Sequence, residues 1–226
     1  MANKKAVVLL SGGIDSATTL AIAKSENYDT HAISFDYGQR HKKELESAKK
    51  IARHYRAKHK ILKLDLNFVS SSLLQKKQKI PERNIKDLGR DIPSTYVPAR
   101  NLIFLAYASA YAESIGASKI FIGANAIDYS GYPDCRPDFY KALQEVIKVG
   151  TKTGVEGKAI DIKYPLINLT KAEIIKKGLS LKVPYHLTWS CYRGKRKACG
   201  KCDSCLIRLK GFREAGIKDT IEYEKI

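Results

Sequence analysis

Two groups of residues in this sequence have the types and spacing that chemistry needs, and the first is a glycine-rich run. It consists of Ser11, Gly12, Gly13, Ile14, Asp15 and Ser16, directly after an aliphatic segment at positions 5–10. Two glycines let a backbone approach a ligand closely, and the free N–H groups of a helix N-terminus attract anions. The run therefore predicts a phosphate-binding turn, with a plain serine-capped corner as the alternative. It is neither a Walker loop nor a GxGxxG dinucleotide loop.

The second group is a cluster of four cysteines. Cys191, Cys199, Cys202 and Cys205 form a C-x7-C-x2-C-x2-C array. In a reducing compartment such thiolates are metal ligands rather than disulfide partners, and four of them close a tetrahedral zinc site. We expect one structural zinc ion per chain. An iron–sulfur cluster is the alternative, because the last three cysteines also have ferredoxin spacing. The separate Cys135 is interpreted as an inert packed residue.

Further polar residues follow predicted strands. Gln39 and His41 come after the segment 30–36, and Arg100 and Asn101 begin a helix that ends near residue 115. In an open parallel sheet, ligands bind beyond the carboxyl ends of the strands. We therefore interpret these four residues as contacts in the same cleft as the glycine-rich run. An exposed surface position for His41 and a capping role for Asn101 are the alternatives.

The loop at positions 124–137 is rich in aromatic and acidic residues and contains one arginine. Aromatic faces stack on planar rings, and carboxylates accept the N–H edge of a guanine-like base. The loop therefore predicts a heterocyclic substrate. Its candidate contacts are Asp128, Tyr129, Tyr132, Asp134 and Arg136.

One lysine occupies an unfavourable position in a predicted helix. Thr170 and Glu173 have the spacing of a capping box, which places Lys171 in the first turn. A positive charge at a helix N-terminus is unfavourable unless an anion is nearby. Lys171 is therefore a candidate functional residue, and an exposed lysine is the alternative.

The elements that must position these residues alternate between strand and helix. Strands are predicted at 5–10, 30–36, 60–66, 119–123 and 160–166, and helices at 17–22, 42–55, 100–115, 138–148, after 170 and at 203–215. The helix ending near 115 has almost no polar face and is expected to be buried on most sides. A short helix is predicted at 68–74, and the polar segment 75–93 is interpreted as a lid rather than a disordered insertion.

This pattern predicts an α/β fold with a doubly wound, mainly parallel sheet. Residues 1–185 would form that domain, and residues 186–226 a small zinc-binding region packed on it. The chain has 226 residues and a formal net charge of +18, which favours anionic ligands and makes RNA a candidate partner. The lysines are scattered, however, rather than gathered into one block. No segment has the roughly 20 apolar residues of a membrane span, and no signal peptide precedes the first strand, so we expect a cytoplasmic protein.

Several motifs together resemble one enzyme family. The run at 11–16 matches the SGGxDS loop of the PP-loop ATP pyrophosphatase superfamily, and residues 165–173 match its PLxxLTKxE segment. The stretches DYGQRH at 36–41, VPARN at 97–101 and DYSGYPDCR at 128–136, joined to the cysteine array, resemble the 7-cyano-7-deazaguanine synthase family over nearly the whole chain. Ala99 departs from the glycine expected at its position.

The resemblance implies cleavage of ATP between its α- and β-phosphates. It implies that 7-carboxy-7-deazaguanine and ammonia become the nitrile through an adenylated acid and an adenylated amide, on the route to queuosine or archaeosine. Asp15, with Mg²⁺ nearby, and Lys171 would be catalytic, and Lys171 would face phosphate. The implied nucleotide contacts are Leu10, Ser11, Gly12, Gly13, Ile14, Asp15, Ser16, Ala17 and Thr18.

The resemblance also implies a homodimer that binds small molecules and does not bind nucleic acid directly. Asp128, Asp134 and Arg136 would bind the deazaguanine and its carboxylate, with Tyr129 or Tyr132 stacking on the ring. Two other functions stay open from the sequence. One is a PP-loop enzyme that modifies tRNA, of the thiolase or lysidine synthetase type. The other is a nucleotide-binding module without turnover.

Overall fold

The centre of the molecule is a parallel sheet. A computed structural model describes residues 4–66, 68–75, 79–82, 91–127 and 131–224. Within them, five strands pair in the order β3-β2-β1-β4-β5. They are β1 Lys5–Leu9, β2 Asp29–Asp36, β3 Lys58–Lys63, β4 Lys119–Phe121 and β5 Asp161–Lys163. Because β1 pairs with both β2 and β4, the strand order reverses beside it. Open α/β sheets bind their ligands at such a switch point.

Helices connect the strands and cover both faces of the sheet. In the described residues they are α1 Ile14–Ser25, α2 Lys43–His54, α3 Arg100–Ile115, α4 Pro137–Gly150, α5 Lys152–Val155, α6 Lys171–Ser180 and α7 Asp203–Glu214. Single 3₁₀ turns cover Pro133–Cys135 and Tyr185–Leu187. None of these helices is long and apolar enough to cross a membrane.

The apolar run of β1 explains why the sheet is covered on both sides. Val7 packs in one buried cluster with residues of α3 and α4. Its neighbour Val8 packs in a second cluster with residues of α1, α2 and α6. Successive side chains of a strand point to opposite faces, so a strand without polar alternation needs two covering layers. The doubly wound parallel fold predicted from the sequence is confirmed.

Three strands differ by more than one residue from their predicted limits. The pairing of β3 with β2 runs from His31 opposite Lys58 to Asp36 opposite Lys63, so β3 starts and stops earlier than 60–66. The strand β5 pairs only with the three residues of β4, and both are shorter than predicted. Pro165 follows soon after β5, and proline has no N–H to extend the ladder.

The short helix predicted at 68–74 is wrong for the residues that the structure describes, because 68–75 contains turns. The Ser71 hydroxyl accepts a hydrogen bond from the Leu73 N–H at 3.3 Å. Such a side-chain bond offers the backbone an alternative to the helical pattern. Of the predicted lid at 75–93, residues 76–78 and 83–90 lie outside the described residues.

The sequence predicts that the helix α3 is buried on most sides, and this prediction is wrong. Leu105, Ala108 and Ala112 are buried against the sheet. On the other side, Leu102 is 44% exposed and Tyr107 is 47% exposed. An apolar sequence alone does not say whether a second layer covers the far face of a helix. In the single chain, this face of α3 is exposed.

The C-terminal helix α7 packs against helices that cover the sheet. Phe212 of α7 lies in the same buried cluster as residues of α1 and α6. Ala198 pairs with the chain end through two backbone hydrogen bonds, one from its N–H to the Glu222 carbonyl at 2.9 Å and one to its carbonyl from the Glu224 N–H at 2.8 Å. The exact boundary between 185 and 186 stays a prediction.

Candidate active site

A cleft of about 250 Å³ opens at the carboxyl ends of β1, β2 and β4. Segments that are far apart in the sequence meet there. The sequence-predicted residues that line it are Leu10, Ser11, Gly13, Ile14, Asp15, Ser16, Gln39, His41, Arg100, Asn101, Tyr132 and Lys171. The cleft therefore lies at the switch point of the sheet, where ligand binding is expected.

The glycine-rich run forms a tight turn that presents the N-terminus of α1 to the cleft. The Ser16 hydroxyl accepts the Gly12 N–H at 3.1 Å and lies 3.1 Å from the Ser11 hydroxyl. Gly12 has a φ of +94°, and a Cβ added there would lie 2.2 Å from the Glu44 carbonyl oxygen. Only glycine fits this position, because a side chain would meet both backbone strain and the start of α2. The positive end of the α1 dipole therefore faces the space where an anion can bind.

An ion pair joins the first turns of α1 and α6. The Lys171 ammonium donates to both carboxylate oxygens of Asp15, at 2.6 and 2.7 Å. The two side chains are 6% and 17% exposed. The predicted capping box is present, with Thr170 and Glu173 bonded to each other's backbone N–H groups. Asp15 offsets the unfavourable position of Lys171 at a helix N-terminus, so the pair brings a lysine close to the phosphate-binding turn.

Two of the predicted nucleotide contacts lie behind the loop instead of in the cleft. Ala17 is fully buried. The Thr18 hydroxyl donates to the Ile14 carbonyl at 2.9 Å and lies 2.9 Å from the Tyr185 hydroxyl. Neither residue lines the cleft, and Gly12 does not line it either. These residues hold the shape of the loop and the packing of α1.

A partly buried arginine, Arg100, also lines the cleft. Arg100 is the first residue of α3 and follows Ala99, which has a left-handed φ of +55°. Burial lowers the pKa of the Arg100 guanidinium, but Tyr37, Tyr132 and other acidic groups nearby outweigh it, and the pKa ends above its ordinary value. Arg100 is therefore a fixed positive charge in the cleft. Such a charge suits a carboxylate or a phosphate.

The four predicted metal ligands come together in one buried cluster. The sulfur atoms of Cys191, Cys199, Cys202 and Cys205 all lie within 4.8 Å of one another, and those of Cys199 and Cys205 are 3.9 Å apart. Zinc–sulfur bonds of about 2.3 Å in a tetrahedron place the sulfurs about 3.8 Å apart, so the cluster fits this ion. Hydrogen bonds from Cys202 and Cys205 lower the pKa of Cys191, which favours its thiolate.

Backbone groups support the cluster from outside the ligand set. The Cys199 N–H donates to the Cys191 sulfur at 3.4 Å. The Lys201 and Cys202 N–H groups both donate to the Cys199 sulfur at 3.4 Å. Such bonds stabilise metal-bound thiolates. The residue types, the distances and these donors all fit a metal ion.

Trp189 connects the cysteine cluster to the glycine-rich turn. Its indole N–H donates to the Cys191 carbonyl at 3.0 Å, and its backbone N–H donates to the Gly12 carbonyl at 2.9 Å. The ammonium of Lys43 lies 3.6 Å from the centre of the indole ring. The order of the cysteine region and the shape of the turn therefore depend on each other.

The model of the family described as "Queuosine biosynthesis protein QueC" matches residues 5–216. The chain belongs to this family. It is 59% identical to a protein of Picrophilus torridus over 220 residues, which are 97% of this chain and 92% of that one. Identity is 57% to a protein of Thermoplasma acidophilum, covering 100% and 94% of the two chains, and 58% to one of Acetivibrio thermocellus, covering 97% and 98%. All three are named 7-cyano-7-deazaguanine synthase.

In this QueC family member, the aromatic loop approaches the cleft through Tyr132 but not through Asp134. The Asp134 carboxylate accepts the Asn101 N–H at 3.1 Å, and its carbonyl accepts the Asn101 side-chain amide at 3.0 Å. Asp134 therefore caps α3 from a distant loop. Its other carboxylate oxygen is buried and has no hydrogen-bond partner in the part of the chain that the structure describes. Arg136 is exposed, and neither Asp134 nor Arg136 lines the cleft.

The remaining predicted substrate contacts are Asp128, Tyr129, Gln39 and His41. Asp128 and Tyr129 lie outside the described residues. The Gln39 side chain accepts the Tyr37 N–H at 2.8 Å and donates to the Phe35 carbonyl at 3.2 Å, so it shapes the turn after β2. His41 is partly buried, and burial lowers its pKa, which favours the neutral ring.

Several cleft residues of this QueC chain were not singled out from the sequence, among them Ser34, Glu44 and Arg208. Ser34 is buried in β2, but Thr30 and His31 of the same strand are buried as well, so its residue type alone does not mark it. Glu44 looks like an ordinary first-turn acid on a charged helix. Arg208 looks like a surface residue of α7, but it is only 1% exposed. No local signal distinguishes Glu44 or Arg208.

Proposed function

We propose that this chain is an ATP-dependent carbon–nitrogen ligase that makes 7-cyano-7-deazaguanine from 7-carboxy-7-deazaguanine and ammonia. One observation carries the proposal. The phosphate-binding turn, the Asp15–Lys171 pair and Arg100 line a single cleft in a chain 57–59% identical to relatives named for this product. The cleft thus offers an anion site beside a second positive charge. Joining a nucleotide to a carboxylic acid requires both.

In the proposed reaction, a substrate carboxylate oxygen attacks the α-phosphorus of ATP, and pyrophosphate leaves. Ammonia attacks the carbonyl carbon of this adenylate, and AMP leaves to give the amide. The amide oxygen then attacks a second ATP, and pyrophosphate leaves again. When the carbon–oxygen bond breaks, AMP leaves and the nitrogen loses its remaining protons, which gives the nitrile.

We assign the phosphates to the loop at residues 11–16 and to Lys171, because charge grows on pyrophosphate as it leaves. Arg100 would bind the substrate carboxylate, and Tyr132 would stack on the ring. Asn101 is assigned to the deazaguanine side of the cleft, and Asp134 would hold it there through its two hydrogen bonds. Asp128, Tyr129 and Arg136 stay predicted contacts of the deazaguanine. Gln39 and His41 complete the proposed binding site.

The proposed metals have different roles. Zinc, held by the cysteine cluster, would fix the 190–205 region and supply structure only. Magnesium would enter bound to the phosphates of ATP and neutralise their charge, with Asp15 as the nearest carboxylate. Both oxygens of Asp15 accept from Lys171, so this carboxylate alone is not a preformed magnesium site.

We also propose that the substrate is a free small molecule, that nucleic acid is not bound directly, and that the enzyme works in the cytoplasm. The exposed apolar face of α3, with Leu102 and Tyr107, would serve a homodimer. An enzyme acting on tRNA would instead bind tRNA tightly, with an affinity that falls steeply as salt increases.

The test is an incubation of the zinc-containing protein with 7-carboxy-7-deazaguanine, ATP, Mg²⁺ and ¹⁵N-ammonium, followed by mass spectrometry. We expect the nitrile with one ¹⁵N atom. The absence of a labelled nitrile, or a product that stops at the amide, would contradict the proposal. The same incubation without ATP is the control and should give no product.

A further inference from the structure

The cleft contains one carboxylate that none of the described residues binds. Glu44 lines the cleft, is partly buried, and makes no side-chain hydrogen bond or ion pair within the described ranges. Among the other acidic side chains that line the cleft, none offers a free carboxylate within the described residues. Asp15 is held by Lys171, and burial raises the pKa of the Cys135 thiol to about 12. Among the described residues of the cleft, Glu44 is therefore the carboxylate whose oxygen atoms are available to accept a proton.

Its position lies between the two halves of the proposed site. The Glu44 carbonyl oxygen is the atom that would contact a side chain at Gly12, so the first turn of α2 packs directly on the phosphate-binding turn. Arg100, the proposed carboxylate contact, is close enough for its charge to act on the Glu44 carboxylate. Burial raises the pKa of Glu44 to about 7, the Arg100 guanidinium limits the rise, and Cys191 adds to it. A carboxyl group with such a pKa both accepts and releases protons near neutrality.

The proposed reaction needs a group of this kind at the reacting nitrogen. Ammonium must lose a proton before its nitrogen can attack carbon. The adduct loses a second proton when AMP leaves, and adenylation of the amide oxygen removes a third. The fourth leaves when the carbon–oxygen bond breaks and the N–H electron pair completes the triple bond. Every proton of ammonium thus leaves the same nitrogen, one at a time.

We propose that Glu44 is the general base that takes these protons from the nitrogen and passes them to solvent through the open cleft. This inference rests on the proposed function. Each transfer makes an O–H bond on the Glu44 carboxylate and breaks one N–H bond. The leaving AMP takes the electron pair of the broken carbon–oxygen bond, so no oxidant or further reactant is needed.

The test compares Glu44→Gln with the control Glu46→Gln, an exposed acid on the same helix. Exchange of labelled pyrophosphate into ATP, with the acid substrate and no ammonia, reports the first adenylation alone. We expect both variants to keep this exchange within about threefold of the wild type, whereas Glu44→Gln loses nitrile formation from ammonium by roughly 10²- to 10⁴-fold. If the wild type itself shows no exchange, the proposed function fails, and not only the role of Glu44.

Two alternative substrates distinguish the successive proton losses from one another. Hydroxylamine is mostly unprotonated at neutral pH, so its attack needs no prior loss of a proton, although its adduct still loses one when AMP leaves. Hydroxamate formation in Glu44→Gln should therefore fall by a smaller factor than amide formation from ammonium. The free amide, offered with ATP, still has two protons to lose, and we expect its conversion to the nitrile to slow in Glu44→Gln. The inference is overturned if hydroxamate formation falls as far as amide formation, if the amide reacts normally, or if pyrophosphate exchange falls with the nitrile.

Discussion

The strongest structural prediction concerns a buried ion pair between α7 and the chain end. Arg208 and Asp219 have side chains only 1% and 4% exposed. The guanidinium donates to the two carboxylate oxygens at 2.6 and 2.9 Å, and it also donates to the Thr188 hydroxyl at 2.8 Å. The Tyr223 hydroxyl donates to Asp219 at 2.6 Å. The change Asp219→Asn would keep the shape but leave the arginine charge buried without its counter-ion.

Removing one partner of a buried pair costs about 3–5 kcal/mol in the free energy of unfolding. For a chain of this size, that loss corresponds to a drop in Tm of roughly 6–20 °C. The control is Glu214→Gln, since Glu214 pairs with Lys210 at 3.8 Å on the exposed side of the same helix. An exposed pair of this kind contributes only about 0.3–0.5 kcal/mol.

The assay is thermal and urea unfolding of both variants with the metal site loaded, so that metal loss does not enter the comparison. We expect Asp219→Asn to melt well below Glu214→Gln, which should match the wild type within about 2 °C. Equal melting temperatures for the two variants would refute the reasoning. They would mean that the buried charge is solvated or paired in another way.

The remaining predictions concern the cleft and the metal. Lys171→Gln should lower pyrophosphate exchange by roughly 10²-fold or more, because the charge beside the phosphates is lost, while the exposed Lys176→Gln should not. Gly12→Ala should also abolish exchange, and a soluble variant with normal exchange would show that the turn tolerates a side chain. Chelation of the metal should lower both Tm and exchange, because Trp189 joins the cluster to the turn; unchanged values after verified removal would contradict this. Because the pKa of Glu44 is raised to about 7, its carboxyl group is protonated below that pH and cannot accept a proton. The rate of nitrile formation should therefore fall as pH decreases through about 7. The pH profile of Glu44→Gln should lack this fall.

Local features of the sequence were sufficient to predict the sheet, the tight glycine-rich turn and the cysteine cluster. The apolar run of β1, the paired glycines after it and the capping box at Thr170 and Glu173 act over a few residues. Their structural consequences therefore do not depend on distant parts of the chain. The cysteine cluster was predictable because three of its four cysteines follow one another at intervals of three residues, which brings their sulfur atoms close together.

Features that depend on distant contacts could not be predicted in the same way. Asp134 has the appearance of a substrate ligand, yet its carboxylate bonds to the start of α3, which is more than 30 residues earlier in the chain. Glu44 and Arg208 sit on helices whose sequences look solvated, and only the packed structure turns both toward the cleft. The exposed face of α3 shows the same limit, since an apolar helix does not reveal what lies against it.

The most direct test of the central claim is the nucleotide balance of the reaction, followed by ³¹P NMR with the acid substrate, ammonium, ATP and Mg²⁺. The proposed chemistry predicts two AMP and two pyrophosphate molecules for each nitrile formed, and none when the acid substrate is omitted. Formation of ADP and inorganic phosphate, or a nitrile that appears without two equivalents of AMP, would contradict it.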